Sequence, residues 1–246
     1  MTAREVKMPL IRLDRFICSQ LPGVSRSGVK ELCKKGQISV NGETERSPER
    51  KIDPYTAEVA VLGRRITYKE HLYIMLNKPA GVVCATRDGL SQTVIELLPP
   101  ELRRQGLFPA GRLDKDTVGF VLITDDGELA HRMLSPRSHV PKTYFVRLEK
   151  PICPGAGEAF AAGLTLLDGT ECLPAELICS QKPDECTVVL HEGMFHQIKR
   201  MFEALDNNVI FLKRIAIGGV KLDNNLPYGG VRELKSDEVK ALTSAE

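Results

Sequence analysis

The chain has 246 residues, 42% of them apolar, which suffices for one large domain or a small one and a medium one and is too apolar for wholesale disorder. Its net charge of +2 selects no partner, but residues 1–70 hold 14 Lys and Arg against 9 Asp and Glu while residues 71–246 hold 20 against 23; the basic excess lies in the N-terminal third, where a polyanion-binding module would place it. No segment approaches the roughly 18 apolar residues of a membrane span, Met1 to Pro9 lack the apolar centre of a signal peptide, and neither the seven cysteines nor the five histidines show metal-ligand spacing. A cytoplasmic chain with reduced cysteines and no metal is expected.

Ile11 to Leu21 reads as a helix, with Ile11, Phe16 and Ile17 on one face and Arg12 and Arg15 off it, ended by Pro22-Gly23. Ser25 is placed to cap a second helix from Arg26 to about Lys35. On that helix Val29, Leu32 and Cys33 make an apolar stripe, while Arg26, Lys30 and Lys34 recur every fourth residue along another face. Gly36 closes the helix, and Asn41-Gly42 marks a hairpin after Ile38 and Val40. Gly63-Arg64-Arg65 reads as a linker. Beyond it, Leu72 to Leu76 is a short strand broken by Asn77-Lys78-Pro79-Ala80-Gly81, and Val82 to Ala85 resumes it. Thr93 to Leu98 reads as a helix stopped by Pro99-Pro100, and Gly127 to Leu134 as another ended by Ser135-Pro136. Thr143 to Leu148 alternates, with Tyr144, Val146 and Leu148 on one side. Helices follow over Ala156–Gly163 and Gln197–Leu205. Strands follow near Ala175–Cys179, Thr187–His191, Val209–Leu212 and Arg214–Ile217, with a last piece from Val231. Strands outnumber helices without regular alternation, which predicts an α+β fold with a mixed or antiparallel sheet.

The stretch Gly111-Arg112-Leu113-Asp114-Lys115-Asp116-Thr117-Val118-Gly119 stands out. Three kinds of charged side chain precede the apolar run Phe120 to Ile123, which has the composition of a buried strand, and Asp125-Asp126-Gly127 then turns the chain. Charges at the mouth of a buried strand need partners or a function. Spacing alone fits two readings equally: an ion pair of Asp114 or Asp116 with Arg112 or Lys115, or a catalytic carboxylate.

Residues Arg12-Leu13-Asp14-Arg15, Ser25-Arg26-Ser27 and Lys35-Gly36-Gln37-Ile38-Ser39-Val40-Asn41-Gly42 resemble the S4 RNA-binding domain over about residues 8–66. The resemblance implies a small N-terminal S4 (αL-like) domain whose Arg12, Arg15, Arg26, Lys30 and Lys34 face RNA phosphates, neutralising a backbone without reading bases.

A second resemblance covers nearly all of residues 71–246. The stretch from Gly111 is similar to the catalytic motif of the RNA pseudouridine synthases. It is accompanied in order by Met75-Leu76-Asn77-Lys78-Pro79 with Gly81 and Cys84, by Lys142-Thr143-Tyr144, and by Glu192-Gly193-Met194-Phe195-His196-Gln197-Ile198-Lys199-Arg200-Met201-Phe202. The wording from His196 to Phe202, with Ser135-Pro136-Arg137, looks most like the RsuA type, which modifies small-subunit rRNA; Met194 departs from the Arg or Lys common in the family. The resemblance implies a mixed or antiparallel-sheet catalytic domain and a reaction that detaches uracil from C1′, turns it and rejoins it through C5. That isomerisation needs no redox partner, so no cofactor is expected. It implies Asp114 as nucleophile at C1′ or as base at the sugar, Lys199 as the cation beside it, Tyr144 as a ring for the flipped base and Arg112 as a hold on the displaced strand or a phosphate. Asp116 is left to support the loop. The expected partner is 16S rRNA, free or in a partly assembled small subunit, bound by a monomer. Large-subunit rRNA as substrate, and a non-catalytic ribosome-assembly factor, are the alternatives.

Overall fold

In the computed structural model, residues 10–135 and 138–243 are described; the first nine residues, the Pro136-Arg137 pair and the last three residues lie outside them. The chain divides into two compact units, one running to Glu70 and including Pro99–Gly106, the other comprising His71–Leu98 and the chain from Leu107.

The first unit opens on a strand, not on a helix. Ile11–Arg12 (β1) pairs antiparallel with Lys51–Ile52 (β4), and the helix α1 covers only Leu13–Gln20. The amides of Leu13 and Asp14 donate to the carbonyls of Arg50 and Pro48, so the first turn finds its partners across the chain. Helix α2, Arg26–Lys34, begins as expected: the Ser25 hydroxyl accepts from the Gly28 amide at 3.1 Å. It ends with Gly36 at φ 67°, Gly36 N–H donating to Cys33 O and Gln37 N–H to Leu32 O, which satisfies two terminal carbonyls. Ile38–Val40 (β2), Glu43–Thr44 (β3), Val59–Val61 (β5) and Arg64–Ile66 (β6) form a sheet in the order β3-β2-β5-β6. The expected linker at 63–65 is therefore wrong. Leu62 and Gly63 both have positive φ, 49° and 77°, and make a tight hairpin turn that sends Arg64 and Arg65 back along β5. Leu13, Phe16, Ile17, Val29, Cys33, Ile38 and Val59 close a small separate core.

The second unit is built on a sheet running β11-β12-β10-β13-β9-β7-β15, where β7 is Tyr73–Lys78, β9 Val118–Thr124, β10 Lys142–Leu148, β11 Glu176–Cys179, β12 Glu185–Leu190, β13 Val209–Ile217 and β15 Val231–Glu233. Phe108–Ala110 (β8) also pairs with β9, and Val220–Lys221 (β14) with β13. The β9–β13 pair is parallel and its neighbours are antiparallel, so the sheet is mixed and the α+β expectation holds. All seven residues of β9 are buried, as the unbroken apolar run requires of a central strand covered on both faces. Helix α3, Gly127–Leu134, starts where Asp126 accepts from the Leu129 amide at 2.9 Å, and lays Leu129, Ala130 and Met133 on Met75, Phe120 and Leu122. The remaining helices are α4, Ala156–Ala162, α5, Gln197–Glu203, and α6, Ser236–Ala241.

Four local expectations fail. The strand β7 continues through Asn77 and Lys78, because both still pair with β9. Val82–Ala85 is no strand; Val83 makes a single bridge to Thr93. Thr93–Leu98 is a run of turns, not a helix: Thr93 and Glu96 exchange bonds as a helix start would, but Pro99 follows too soon for a helix to propagate. The two strands expected on either side of Lys213 are one, with Leu212, Arg214 and Ala216 buried along the alternation. Among the described residues no helix is long and apolar enough to cross a membrane.

Candidate active site

The loop that carries Asp114 hangs between β8 and β9 and is pinned by its backbone. Lys78, fully buried at the end of β7, donates through Nζ to the carbonyls of Pro79, Lys115 and Thr117 at 3.0, 3.2 and 2.8 Å. Burial lowers the pKa of this amine, and the nearby Asp116 and Asp114 charges oppose that shift. The Gly81 amide also donates to Lys115 O at 2.7 Å. From the other side the buried Arg214 of β13 donates from Nε to Phe120 O at 2.7 Å and from Nη2 to Gly111 O at 3.0 Å. Gly119 makes the junction possible: a Cβ there would meet Arg214 O at 2.3 Å, so only glycine lets β9 and β13 approach where they pair.

With its carbonyls occupied, the loop presents its carboxylates to α5. Lys199 Nζ lies 3.2 Å from Asp114 Oδ2 and donates to both Asp116 oxygens at 2.7 and 2.8 Å. His196 Nε2 is 3.5 Å from Asp114 Oδ1. Burial would push the Asp116 carboxyl up, but the Lys199 hydrogen bonds and charge outweigh it and hold the group below the usual carboxylate value. Burial likewise acts to lower the Lys199 pKa, and its bonds to Asp116 and Asp114 raise it above that of an ordinary lysine. A cation is thus fixed against two carboxylates, one of them in the predicted catalytic position.

Asp114 and Lys199 are brought together as expected. The local pairs with Arg112 or Lys115 do not form: Lys115 donates to Ser91 Oγ at 3.0 Å, and Arg112 is exposed with no side-chain partner among the described residues. Asp116 does more than support the loop, since it takes the two shortest bonds of Lys199. Tyr144 sits on the buried side of β10, opposite Arg214, which is in turn opposite Gly119; this register places its ring two strands from β9 and 8% exposed. Sequence reasoning gave no role to Lys78, Arg214 or His196. Lys78 and His196 lie inside motifs that were already quoted, whereas Arg214 interrupts an apolar strand, and a buried charge there needs partners that sequence does not show.

Of the five cations expected on the RNA-binding face, two are engaged within the N-terminal unit. Arg12 donates to both oxygens of the buried Asp14 at 3.1 and 2.8 Å, and Lys34 pairs with Glu31 at 3.2 Å. The side chains of Arg15, Arg26 and Lys30 are exposed and make no hydrogen bond or ion pair among the described residues.

Residues 72–204 match a family described as RNA pseudouridylate synthase, and residues 11–54 match the S4 domain. The chain is 42% identical over 233 residues to a ribosomal small subunit pseudouridine synthase A of Vibrio cholerae, covering 94% of this chain and 99% of that protein. It is 39% identical to the protein so named in Escherichia coli, covering 94% and 100%. An uncharacterised RNA pseudouridine synthase of Bacillus subtilis is 41% identical, covering 96% and 100%. A solved structure described as a pseudouridylate synthase superposes with a TM-score of 0.66 at 37% identity, covering 94% of this chain and 99% of that one.

Proposed function

We propose that this chain, which belongs to the RNA pseudouridylate synthase family and carries an S4 domain, isomerises a uridine of 16S rRNA to pseudouridine, in the cytoplasm, with Asp114 as its catalytic group. The small-subunit assignment rests on relatives described as ribosomal small subunit pseudouridine synthases that align along nearly the whole chain. The observation that carries the catalytic assignment is the contact of Asp114 with Lys199 at 3.2 Å, in a loop whose backbone is fixed independently by Lys78 and Arg214.

The reaction breaks the N1–C1′ bond and makes a C5–C1′ bond; C5 loses a proton and N1 gains one, so atoms and electrons balance without a cofactor. A carboxylate is suited to attack C1′ or to take a proton from the sugar, and either role requires it ionised. The Lys199 ammonium lies against it at 3.2 Å. The uracil has to leave its stack to reach a loop at the end of a strand, and unstacking costs a few kcal/mol. In this reading Arg112, exposed in the same loop, meets a backbone phosphate, and Tyr144, on the buried side of β10, is the ring for the turned base. Arg15, Arg26 and Lys30 add phosphate contacts that hold the RNA without reading sequence.

The test is to map pseudouridine in rRNA from cells lacking the gene, complemented with the wild-type protein, Asp114→Ala or Asp114→Asn. One 16S uridine should remain unmodified in the null strain and in both variants, with the variant proteins folded and RNA-bound. Restoration of the modification by Asp114→Ala would refute the catalytic assignment, and a site in large-subunit rRNA would refute the substrate.

A further inference from the structure

We infer that Phe195, stacked on His196, is a platform for the unpaired nucleobase next to the target uridine; this rests on the function proposed above. Phe195 is 74% exposed, in a segment otherwise tied down. Its ring lies on that of His196 with centroids 3.7 Å apart and an interplanar angle of 18°. His196 reaches Asp114 Oδ1 through Nε2 at 3.5 Å. One face of the Phe195 ring is therefore covered by an imidazole that touches the catalytic carboxylate, and the aromatic stack begins at Asp114 and ends in solvent. The other face of the Phe195 ring is open to solvent. A nucleobase fits that face, because single-stranded RNA is held by aromatic rings beside cationic groups, and the Lys199 ammonium and the exposed Arg112 lie at the same loop.

The segment is held in this arrangement before any ligand arrives. His196 is a non-glycine residue at φ 49°, a conformation uncommon outside turns and functional sites. Its neighbours fix it: Arg200 donates to Phe195 O at 3.4 Å, and the buried Gln197 accepts from the Met194 amide at 3.1 Å and donates to Glu192 at 2.6 Å. A rigid ring loses little entropy when a base stacks on it. The target uracil itself must bring C1′ to Asp114, and Phe195 stands one ring further out, beyond His196. That position fits the flanking nucleotide better than the target.

The test measures binding in the Asp114→Asn protein, so that turnover plays no part. The probes are an rRNA oligonucleotide spanning the modified uridine and three copies with an abasic site at the uridine or at its 5′ or 3′ neighbour. Phe195→Ala should weaken binding of the intact RNA about tenfold, within the range of one base–aromatic stack, and Phe195→Trp should restore it. At one neighbouring position the abasic RNA should show the same loss with Phe195 present and little further loss with Phe195→Ala. Equal effects of Phe195→Ala on all four RNAs, or coupling only at the target uridine, would overturn the inference. Activity in Asp114→Ala fails the proposed function instead, and the two failures are read in different experiments.

Discussion

Replacing Gly119 with alanine is expected to separate β9 from β13 and disable the Asp114 loop that leads into β9. The added Cβ would lie 2.3 Å from Arg214 O, 2.9 Å from Arg214 N and 3.0 Å from Lys213 Cγ, at a φ of 101°. Two of these contacts are backbone, so no side chain can swing away, and β13 has to move by about 1 Å to restore van der Waals distance. The backbone conformation costs about 1–3 kcal/mol for a residue with a Cβ, and forcing an extra carbon into a packed site about 1–3 kcal/mol more. The displaced residue is Arg214, whose bonds to Phe120 O and Gly111 O are each worth roughly 1.5–3 kcal/mol as charged hydrogen bonds. Losing one of them brings the total to about 3.5–9 kcal/mol, against a net stability of about 5–15 kcal/mol for a domain. Urea denaturation of Gly119→Ala should show that loss or an unfolded chain, and any folded fraction should be inactive. Gly127→Ala is the control: nothing lies within 4 Å of its Cβ position and its φ is ordinary, so it should be neutral or slightly stabilising at the start of α3. A loss below about 1 kcal/mol for Gly119→Ala, with activity intact, would refute the claim that this glycine sets the strand spacing.

Two further outcomes are expected. Lys142 is buried, its ammonium donates to Val140 O at 3.0 Å, and burial, aided by the charge of Arg214, brings its pKa down from 10.5 to about 8. Below pH 8 both folded and unfolded chains hold this proton; between about 8 and 10.5 the folded chain releases it first, so stability rises with pH across that window by roughly 3 kcal/mol. Lys142→Met should remove that rise and be more stable than wild type at pH 7, and parallel stability curves for the two proteins from pH 7 to 10 would contradict this. Arg26→Gln with Lys30→Gln should weaken RNA binding and flatten the log K against log salt slope by about 1.4–1.8, as two lost phosphate contacts predict; an unchanged slope would make this helix face an ordinary solvated surface.

Sequence served well where local chemistry decides. The strand β9 is built on the uninterrupted apolar run Phe120 to Ile123, and Ser25, Gly36 and Asn41-Gly42 act within a few residues of themselves. It failed where a distant segment decides. Ile11 and Arg12 leave the helix because Lys51 and Ile52 pair with them. Arg64 and Arg65 look like a polar connector because nothing local shows that they return along β5, and the unusual Leu62 conformation gives no compositional signal. In the site, motif wording brought Asp114 to Lys199 across 85 positions, yet could not show that Asp116 takes the closer bonds of that lysine. Arg214 was the least legible: its partners are backbone carbonyls, which every residue has, so no pattern of side chains announces it.

That last point bears on why Asp114 is available for chemistry. A strand-end loop carrying a lysine and two aspartates would ordinarily consume its charges in its own folding. Here the folding role falls to two buried cations from neighbouring strands, Lys78 and Arg214, and both bind main-chain oxygens, five in all. Among the described residues neither makes a hydrogen bond or ion pair to a carboxylate of the loop, so Asp114 is not needed to hold it. Among the described residues its side chain makes its ion-pair contacts with the far element, at Lys199 and His196. Removing the Asp114 carboxylate should therefore leave the backbone of the loop in place while emptying it of its reactive group, which is what allows an Asp114→Asn protein to serve as an inactive, RNA-binding form. Had the aspartate been the anchor, the same substitution would destroy fold and activity together, and thermal melting of Asp114→Asn beside wild type separates the cases: a melting temperature within a few degrees of wild type is expected, and a drop of the size predicted for Gly119→Ala would show that the carboxylate holds the loop after all.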